Sequence, residues 1–231
     1  MAKISTYATV TPEAGDIVVG VQSGATKTFA VEDIAALSGT VLTPLDTTGW
    51  SWVNQGGAVL QQGSKMVRLA LDSEASEQTR GLFTSAPGST PYTITALTYP
   101  GILNTSGLCG VGIGFRESST SKLGYILYTG NAGGAGPKMH VRKNTNETTN
   151  SASATSNAFL APCVPGIWLQ ITDNGTNVIY KYSMNGEHYV TLLSETRGTH
   201  FTTAPNQVGI IIQNFGAGIN ISGSIASWEV S

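Results

Sequence analysis

Apolar and polar residues alternate in short stretches along most of the chain, which is typical of half-buried β-strands. Between residues 166 and 193 three such stretches follow one another, separated by Asn174-Gly175 and Asn185-Gly186. Asn and Gly tolerate the positive φ angles that tight hairpin turns demand, so this segment predicts a three-stranded antiparallel meander. A lone meander is not stable in water. The pattern therefore predicts a second sheet that covers its apolar face.

The same pattern continues upstream of this meander. From Cys109 to Lys143 apolar positions again alternate with glycine or polar residues, which predicts a second meander. Counting from Trp50, we expect about eleven to thirteen short strands and no helix longer than one turn. Residues 72–80 are polar and acidic and predict a solvated loop. Many short strands separated by turn residues are typical of an all-β, two-sheet sandwich.

The first 40 residues have a different pattern. Residues 16–22 predict an apolar strand, residues 27–30 a return strand, and residues 31–37 a brief helix with acidic residues in its first turn. A unit of this size buries too little surface to fold alone. We therefore expect it to pack on the larger domain, on sister chains or on a partner.

The larger domain is expected to span residues 49–231. Residues 41–48 predict a linker, because a proline interrupts regular structure there. A sandwich of this length buries a core without disulfides. Cys109 and Cys163 lie in apolar contexts, so we expect two free thiols, with a disulfide between them as the alternative.

Residues 4–37 resemble the short N-terminal segment of tailed-bacteriophage fibre and appendage proteins. In that family an Asp precedes an apolar strand, a turn with Gly, Thr and Lys follows, and an apolar residue leads into a short acidic helix. The matching residues are Asp16, Ile17, Val18, Val19, Gly24, Thr26, Lys27, Val31, Asp33 and Ile34. The resemblance implies a virion protein, commonly a homotrimer, whose first 40 residues attach it to tail or capsid proteins. The alternative is an ordinary hairpin followed by a helix.

The last third of the chain resembles concanavalin A-like (laminin G-like) jelly rolls. A Trp-led strand, two Asn-Gly turns, a strand with alternating tyrosines and a terminal strand with Trp occur in the expected order. The matching residues are Trp168, Leu169, Ile171, Tyr180, Tyr182, Ser183, Gly186, Val208, Gly209, Ile210, Trp228 and Val230. Most of these are core positions, so the resemblance implies a jelly-roll β-sandwich and says less about function.

Composition narrows the possible partners. Charged residues make up only 11% of the chain and the net charge is −2, with no basic stripe, so we expect no nucleic acid partner. No run of about 18 apolar residues occurs, so we expect no membrane insertion. The first residues lack the apolar core of a signal peptide. Together with the bacteriophage resemblance, this favours a location in the virion after assembly in the host cytoplasm.

Candidate catalytic and metal-binding residues are sparse. Many concanavalin-like glycosidases use two carboxylates on one strand, about 5–9 Å apart. The closest acidic neighbours here, Glu74 and Glu77, lie in the predicted polar loop without apolar surroundings that would raise a pKa. His140, His188 and His200 lack the spacing of a metal site. We therefore expect no enzymatic activity, no bound metal and no cofactor.

A saccharide-binding surface is the better candidate. Saccharides are held by aromatic faces together with planar polar groups on shallow surfaces. One face of the second predicted meander carries Arg116, His140 and Arg142. Either Tyr125 or Tyr128 lies between them, depending on strand register, and glycines on the same face leave room for a ligand. The alternative is an ordinary solvated sheet face or a subunit contact.

These features favour a bacteriophage appendage, such as a tail fibre or host-recognition protein. Its N-terminal arm would dock to the particle, and its lectin-like domain would contact host surface glycans. One alternative is a capsid decoration or head-fibre protein with a structural role. Another is a stand-alone carbohydrate-binding module.

Overall fold

The computed structural model describes residues 17–22, 25–30, 42–101, 109–129, 138–152, 166–216 and 220–231. The chain divides into two compact units, residues 1–41 and residues 42–231. In the smaller unit, β1 (Ile17–Gln22) pairs antiparallel with β2 (Ala25–Ala30). Both strands predicted for this unit are therefore present. The predicted helix and the matching residues Asp16, Gly24, Val31, Asp33 and Ile34 lie outside the described residues.

The described part of the larger unit consists of short antiparallel strands. They are β3 (Ser51–Val53), β4 (Val59–Gln62), β5 (Val67–Leu71), β6 (Glu74–Ser85), β7 (Tyr92–Pro100), β8 (Gly110–Glu117), β9 (Lys122–Thr129), β10 (Lys138–Asn146), β11 (Thr149–Ala152), β12 (Ile167–Asp173), β13 (Asn177–Ser183), β14 (Val190–Thr196), β15 (Gln207–Gly216) and β16 (Ile221–Val230). A short 3-10 helix, Arg197–Thr199, follows β14. The described residues contain no helix that is long and apolar enough to span a membrane.

The strands form two seven-stranded sheets. Sheet I has the order β11-β10-β9-β8-β15-β6-β3, and sheet II has the order β14-β13-β12-β7-β16-β5-β4. Both predicted meanders are confirmed: β8, β9 and β10 are neighbours in sheet I, and β12, β13 and β14 are neighbours in sheet II. The turns between β12, β13 and β14 contain Gly175 at φ +90° and Gly186 at φ +79°, a region that favours glycine.

The apolar core lies between the two sheets. Sheet I contributes Val111, Ile113, Phe115, Ile126, Val208 and Ile210, and sheet II contributes Leu69, Ile94, Leu169, Ile171, Val178 and Tyr180. Trp50 packs edge-on against Trp228, with ring centroids 5.2 Å apart. The fold is the predicted all-β two-sheet sandwich.

Residues 42–48 belong to this sandwich rather than to a free linker. The Thr43 carbonyl accepts a 2.8 Å hydrogen bond from the Trp228 N–H, and the Ser227 hydroxyl lies 3.0 Å from the Thr43 N–H. Leu45 is 2% exposed and packs in the core. Pro44 does interrupt regular structure, but the neighbouring residues find partners on β16, so the segment is ordered by tertiary contacts.

The predicted loop at residues 72–80 is also corrected, because most of it belongs to β6. β6 pairs with β15 from Glu74 to Ser85. Arg80 on the same strand forms an ion pair with Glu74 at 2.6 Å. This polar stretch is therefore a strand, on which the charges of Glu74 and Arg80 neutralise each other.

Candidate functional site

The structure places four of the five residues predicted to form a glycan-binding face on one face of sheet I and the fifth on the opposite face. These residues are Arg116, Tyr125, Tyr128, His140 and Arg142. In β9 and β10, Arg142 pairs with Tyr125, and Tyr125 also pairs with Gly114 of β8, so these residues share the outer face of sheet I. Tyr128 pairs with Val111 and lies in the core, where it is 4% exposed. The register therefore selects Tyr125 for this face and excludes Tyr128.

The outer face at Tyr125 is buried rather than solvated. Tyr125 is fully buried, and four other apolar side chains form one cluster with it: Phe83, Leu123, Leu127 and Ile211. A Cβ on Gly114 would lie 2.8 Å from the Tyr125 Cβ. The glycines of β8 thus leave room for protein side chains, and not for the ligand that the sequence predicted there.

Polar groups around Tyr125 are also buried and interconnected. The Tyr125 hydroxyl lies 3.2 Å from Thr79 Oγ1, 3.1 Å from Asn144 Oδ1 and 3.3 Å from Gln213 Oε1. Arg142 is only 4% exposed. This network holds strands β6, β9, β10 and β15 together within sheet I, which makes Tyr125 part of the packing and not an open stacking platform.

Arg116 and His140 complete the account of the predicted face. Arg116 donates to Glu147 at 2.9 Å and to Gln207 at 2.7 Å, so much of its guanidinium is occupied. His140 is half-buried, and burial lowers its pKa to about 4, with the charges of Arg142 and Lys138 adding to the effect. His140 is therefore neutral at physiological pH.

An open surface lies at one end of the sandwich instead. Two adjoining depressions of about 350 and 410 Å³ share Arg197 and Ala204. We call them together the Arg197 groove. The first is lined by Gly175, Thr176, Thr196, Arg197, Gly198, Phe201, Thr202, Thr203 and Ala204, and the second by Pro87, Gly88, Ser89, Thr90, Tyr92, Arg197, Ala204 and Pro205. The groove thus combines the β12–β13 turn, the 3-10 helix, the segment before β15 and the loop before β7.

The β12–β13 turn is fastened to the 3-10 helix through the backbone. The Asp173 carboxylate accepts a 2.8 Å hydrogen bond from the Gly175 N–H, which closes the turn. The Arg197 N–H donates to the Thr176 carbonyl at 2.9 Å. A Cβ on Gly175 would lie 2.9 Å from Thr90 Oγ1, so the turn also touches the loop before β7. The Asp-Asn-Gly sequence therefore shapes one wall of the groove.

The opposite wall, the segment before β15, is held by Glu117. Its carboxylate is 1% exposed and accepts hydrogen bonds from the Thr202 N–H at 2.8 Å, the Thr203 N–H at 2.9 Å and the Thr203 hydroxyl at 2.8 Å. Burial alone would raise the pKa of Glu117. The hydrogen bonds from Thr203, Thr202 and Thr120 outweigh burial and hold this pKa below its usual value. Glu117 is thus an ionised positioning group at neutral pH.

Arg197 is anchored from behind by a buried carboxylate. Its Nη1 lies 3.3 Å and 3.2 Å from the two oxygens of Asp173, which is fully buried. The Tyr92 hydroxyl donates to the Pro205 carbonyl at 3.3 Å. Burial raises the pKa of Tyr92 well above its usual value, and the Asp173 charge adds to this, so the phenol stays neutral. The described lining of the groove therefore presents one cation, neutral hydroxyls and backbone groups.

Sequence reasoning missed this groove. The sequence pattern predicts a turn at Asn174-Gly175, and the structure confirms it. Arg197 carries no local signal, because its carboxylate partner lies 24 residues earlier and Glu117 lies 85 residues before Thr202. Only the pairing of sheet II and the packing of the two sheets bring these groups together.

Other possible chemistry is limited within the described ranges. They contain no group of three or more His, Cys, Asp or Glu residues that could hold a metal ion. Several carboxylates form ion pairs: Glu74 with Arg80, Glu147 with Arg116, Glu195 with Lys143, and Asp173 with Arg197. Cys109 is buried, and Cys163 lies outside the described residues.

No protein-family model matches the chain, and no curated protein matches it. Similar solved structures include the exoplasmic/lumenal domain of VIP36 with Ca²⁺ and Man3GlcNAc bound, at TM-score 0.53 and 10% identity, over 82% of this chain and 86% of that one. The legume lectin-like domain from Entamoeba histolytica matches at TM-score 0.51 and 13% identity, over 79% of this chain and 89% of that one. The fold is a lectin-type jelly-roll β-sandwich.

A glycoside hydrolase is also among the similar solved structures. A GH43 glycoside hydrolase, engineered to display endo-xylanase and exo-arabinofuranosidase activity, matches at TM-score 0.57 and 12% identity, over 84% of this chain. This chain spans only 41% of that protein. Identities this low show the fold alone, because one fold supports many unrelated functions.

Proposed function

We propose that this lectin-type sandwich binds saccharides through the Arg197 groove. The observation that carries the proposal is an open depression on a lectin-type fold, lined by exposed hydroxyl groups around one anchored cation. Thr176, Thr196, Thr202 and Thr203 are exposed there, and a hydroxyl group can donate and accept hydrogen bonds, although the Thr203 hydroxyl already donates to Glu117. Such a lining suits a polar ligand rather than an apolar one.

The dimensions of the groove support a small saccharide. Its two depressions, about 350 and 410 Å³, fall within the range of about 300–1,000 Å³ that is common for small-molecule sites. Both walls are held by hydrogen bonds that the buried carboxylates of Asp173 and Glu117 accept. A ligand therefore meets a largely preformed surface, which limits the entropy lost on binding.

We also propose that the protein binds without catalysing a reaction. Glycoside hydrolysis needs two carboxylates that flank the scissile bond. In the described part of the chain, no Asp or Glu side chain lines either depression. The carboxylates that hold the walls of the groove, Asp173 and Glu117, are both buried and already occupied by partners. These observations support a binding role, and hydrolysis assays on the oligosaccharides that bind will test it.

A pair of glycine substitutions tests the groove. No atom lies within 4 Å of a Cβ built on Gly198, so a bulky side chain at this lining residue should fill the groove without a clash. Gly57 is equally open but lies outside the groove and serves as the matched control. On a host-polysaccharide array, Gly198→Trp should lose binding and Gly57→Trp should keep it. Equal binding by both variants would place any saccharide site elsewhere.

The biological setting that we propose is a bacteriophage virion. The N-terminal resemblance supports an appendage, such as a tail fibre, in which residues 1–40 attach to tail or capsid proteins and the sandwich contacts host surface glycans. The paired strands β1 and β2 agree with the strand pattern of that resemblance. A homotrimer would bring three saccharide sites together and raise the apparent affinity through avidity.

Particle labelling tests this setting. Antibodies against the sandwich should label tails of purified virions, and sedimentation of the full chain should give a trimer. Label on the head would favour a capsid decoration or head-fibre protein. A monomer that is absent from particles would favour a stand-alone carbohydrate-binding module.

A further inference from the structure

We infer that the Arg197 groove selects saccharides that carry a carboxylate, such as hexuronic acid oligosaccharides. The inference rests on the proposed saccharide-binding function and names the chemical class of the ligand. It follows from which hydrogen-bonding groups the groove offers and which it lacks. Arg197 is the residue that would bind the carboxylate.

The guanidinium of Arg197 has a free edge. Among the hydrogen bonds of the described residues, only its Nη1 has a partner, the Asp173 carboxylate. The side chain is 26% exposed, while Asp173 is buried behind it. The Nε–H and the two Nη2–H groups are therefore available on the edge away from Asp173. That edge is the planar fork that binds a carboxylate through two parallel hydrogen bonds.

The described lining of the groove offers a neutral saccharide no carboxylate or amide side chain as an acceptor. Among the residues that the structure describes, none of those lining the groove is an Asp, Glu, Asn or Gln. A neutral saccharide presents hydroxyls that must donate as well as accept, and side-chain carboxylates or amides are strong acceptors for them. A carboxylate accepts only. A groove with an arginine fork and threonine hydroxyls is therefore better matched to an acidic saccharide than to a neutral one.

The neighbouring charges make the preference for a carboxylate a local effect of Arg197. Lys122 lies at the rim, where its Nζ donates to Thr202 Oγ1 at 2.8 Å. The cations Arg197 and Lys122 are balanced by the carboxylates of Asp173 and Glu117. The groove is therefore not strongly positive as a whole, and selectivity must come from the fork itself. We expect the preference for the acidic ligand to persist as salt concentration rises, because a short bidentate contact is screened less than distant charges.

A matched pair of ligands tests the inference on the unmodified full chain. The probes are hexuronic acid oligosaccharides and the same oligosaccharides with each carboxylate reduced to a hydroxymethyl group. Calorimetric titration should show at least about tenfold tighter binding of the acidic form, as expected for loss of one bidentate charge-assisted contact. Equal binding of both forms would overturn the inference and leave the proposed function standing. If no acidic or neutral glycan bound at all, the proposed function itself would fail.

Conservative variants locate the contact. Arg197→Lys keeps the charge and can still reach Asp173, but it removes the fork. It should weaken binding of the acidic oligosaccharide about tenfold and leave the reduced form unaffected. Arg68, an exposed arginine on β5 outside the groove, provides the control Arg68→Lys, which should bind as the wild type does. Unchanged acidic binding in a folded Arg197→Lys protein would also overturn the inference.

Discussion

Replacing Glu117 with Gln should lower the free energy of unfolding at pH 7 by about 2 kcal/mol. One oxygen of Glu117 accepts from the Thr202 N–H, and the other accepts from the N–H and hydroxyl of Thr203. A Gln that keeps its oxygen toward Thr203 turns an NH₂ group toward the Thr202 N–H. One charge-assisted hydrogen bond is then lost at a buried site, which typically costs about 1.5–3 kcal/mol.

The effect of Glu117→Gln should depend on pH. The pKa of Glu117 in the folded protein lies below the ordinary carboxyl value of 4.5. Stabilisation by the ionised carboxylate is therefore fully present above the pKa of the unfolded chain and is lost as pH falls through the folded pKa. The difference in stability between wild type and Glu117→Gln should shrink below about pH 4.5.

Urea denaturation followed by tryptophan fluorescence, repeated from pH 7 to pH 3, measures this difference. Glu187 is exposed, so Glu187→Gln serves as a control that should change stability by less than about 0.5 kcal/mol. Saccharide binding by Glu117→Gln should also weaken, because Thr202 and Thr203 line the groove. A stability difference that is equally large at pH 7 and pH 3 would refute the assigned role of the Glu117 charge.

Three further substitutions test the packing. Gly186→Ala should lower the free energy of unfolding by about 1–2 kcal/mol, because φ is +79° and a Cβ would lie 2.9 Å from the Trp168 ring. In thermal melts the control Gly57→Ala should leave stability unchanged. Equal effects of the two substitutions would contradict the prediction. Tyr180→Phe should leave stability unchanged or raise it by about 1 kcal/mol, because its buried hydroxyl has no hydrogen-bond partner within the described structure; a clear loss in urea titrations would contradict this. Relative to His140→Gln, the wild type should lose stability as pH falls from 6.5 to about 4, where only the unfolded imidazole takes up a proton. The difference between the unfolded pKa of 6.5 and the folded pKa of about 4 limits this loss to about 3 kcal/mol, and solvent screening reduces it to about 2 kcal/mol. Parallel pH profiles of stability for the wild type and His140→Gln would contradict the prediction.

The strands could be predicted because their signals are local. Alternation around Leu169 and Ile171, and the turn glycines Gly175 and Gly186, identified a meander that the structure confirms. The predicted loop at residues 72–80 was wrong for a non-local reason. Glu74 and Arg80 form an ion pair on β6, and β6 itself is paired with β15. Composition alone does not reveal either pairing.

The predicted glycan face shows a second limit. The β9 sequence is apolar on both faces, since Leu123, Tyr125 and Leu127 alternate with Ile126 and Tyr128. A continuous apolar run is typical of a strand that is buried on both sides. That signal was present, and weighing it would have indicated packing on the outer face. The choice between Tyr125 and Tyr128, however, required the register with β8 and β10.

The sequence by itself determined the all-β class, both meanders and their turns, because periodicity and positive φ are properties of neighbouring residues. Only the tertiary structure decided which faces are covered and where an open groove forms. Arg197, Asp173 and Glu117 meet at the end of the sandwich because strand pairing and sheet stacking join distant parts of the chain. Hydrogen bonds and ion pairs between residues so far apart in the sequence depend on the assembled fold, so no local sequence pattern predicts them.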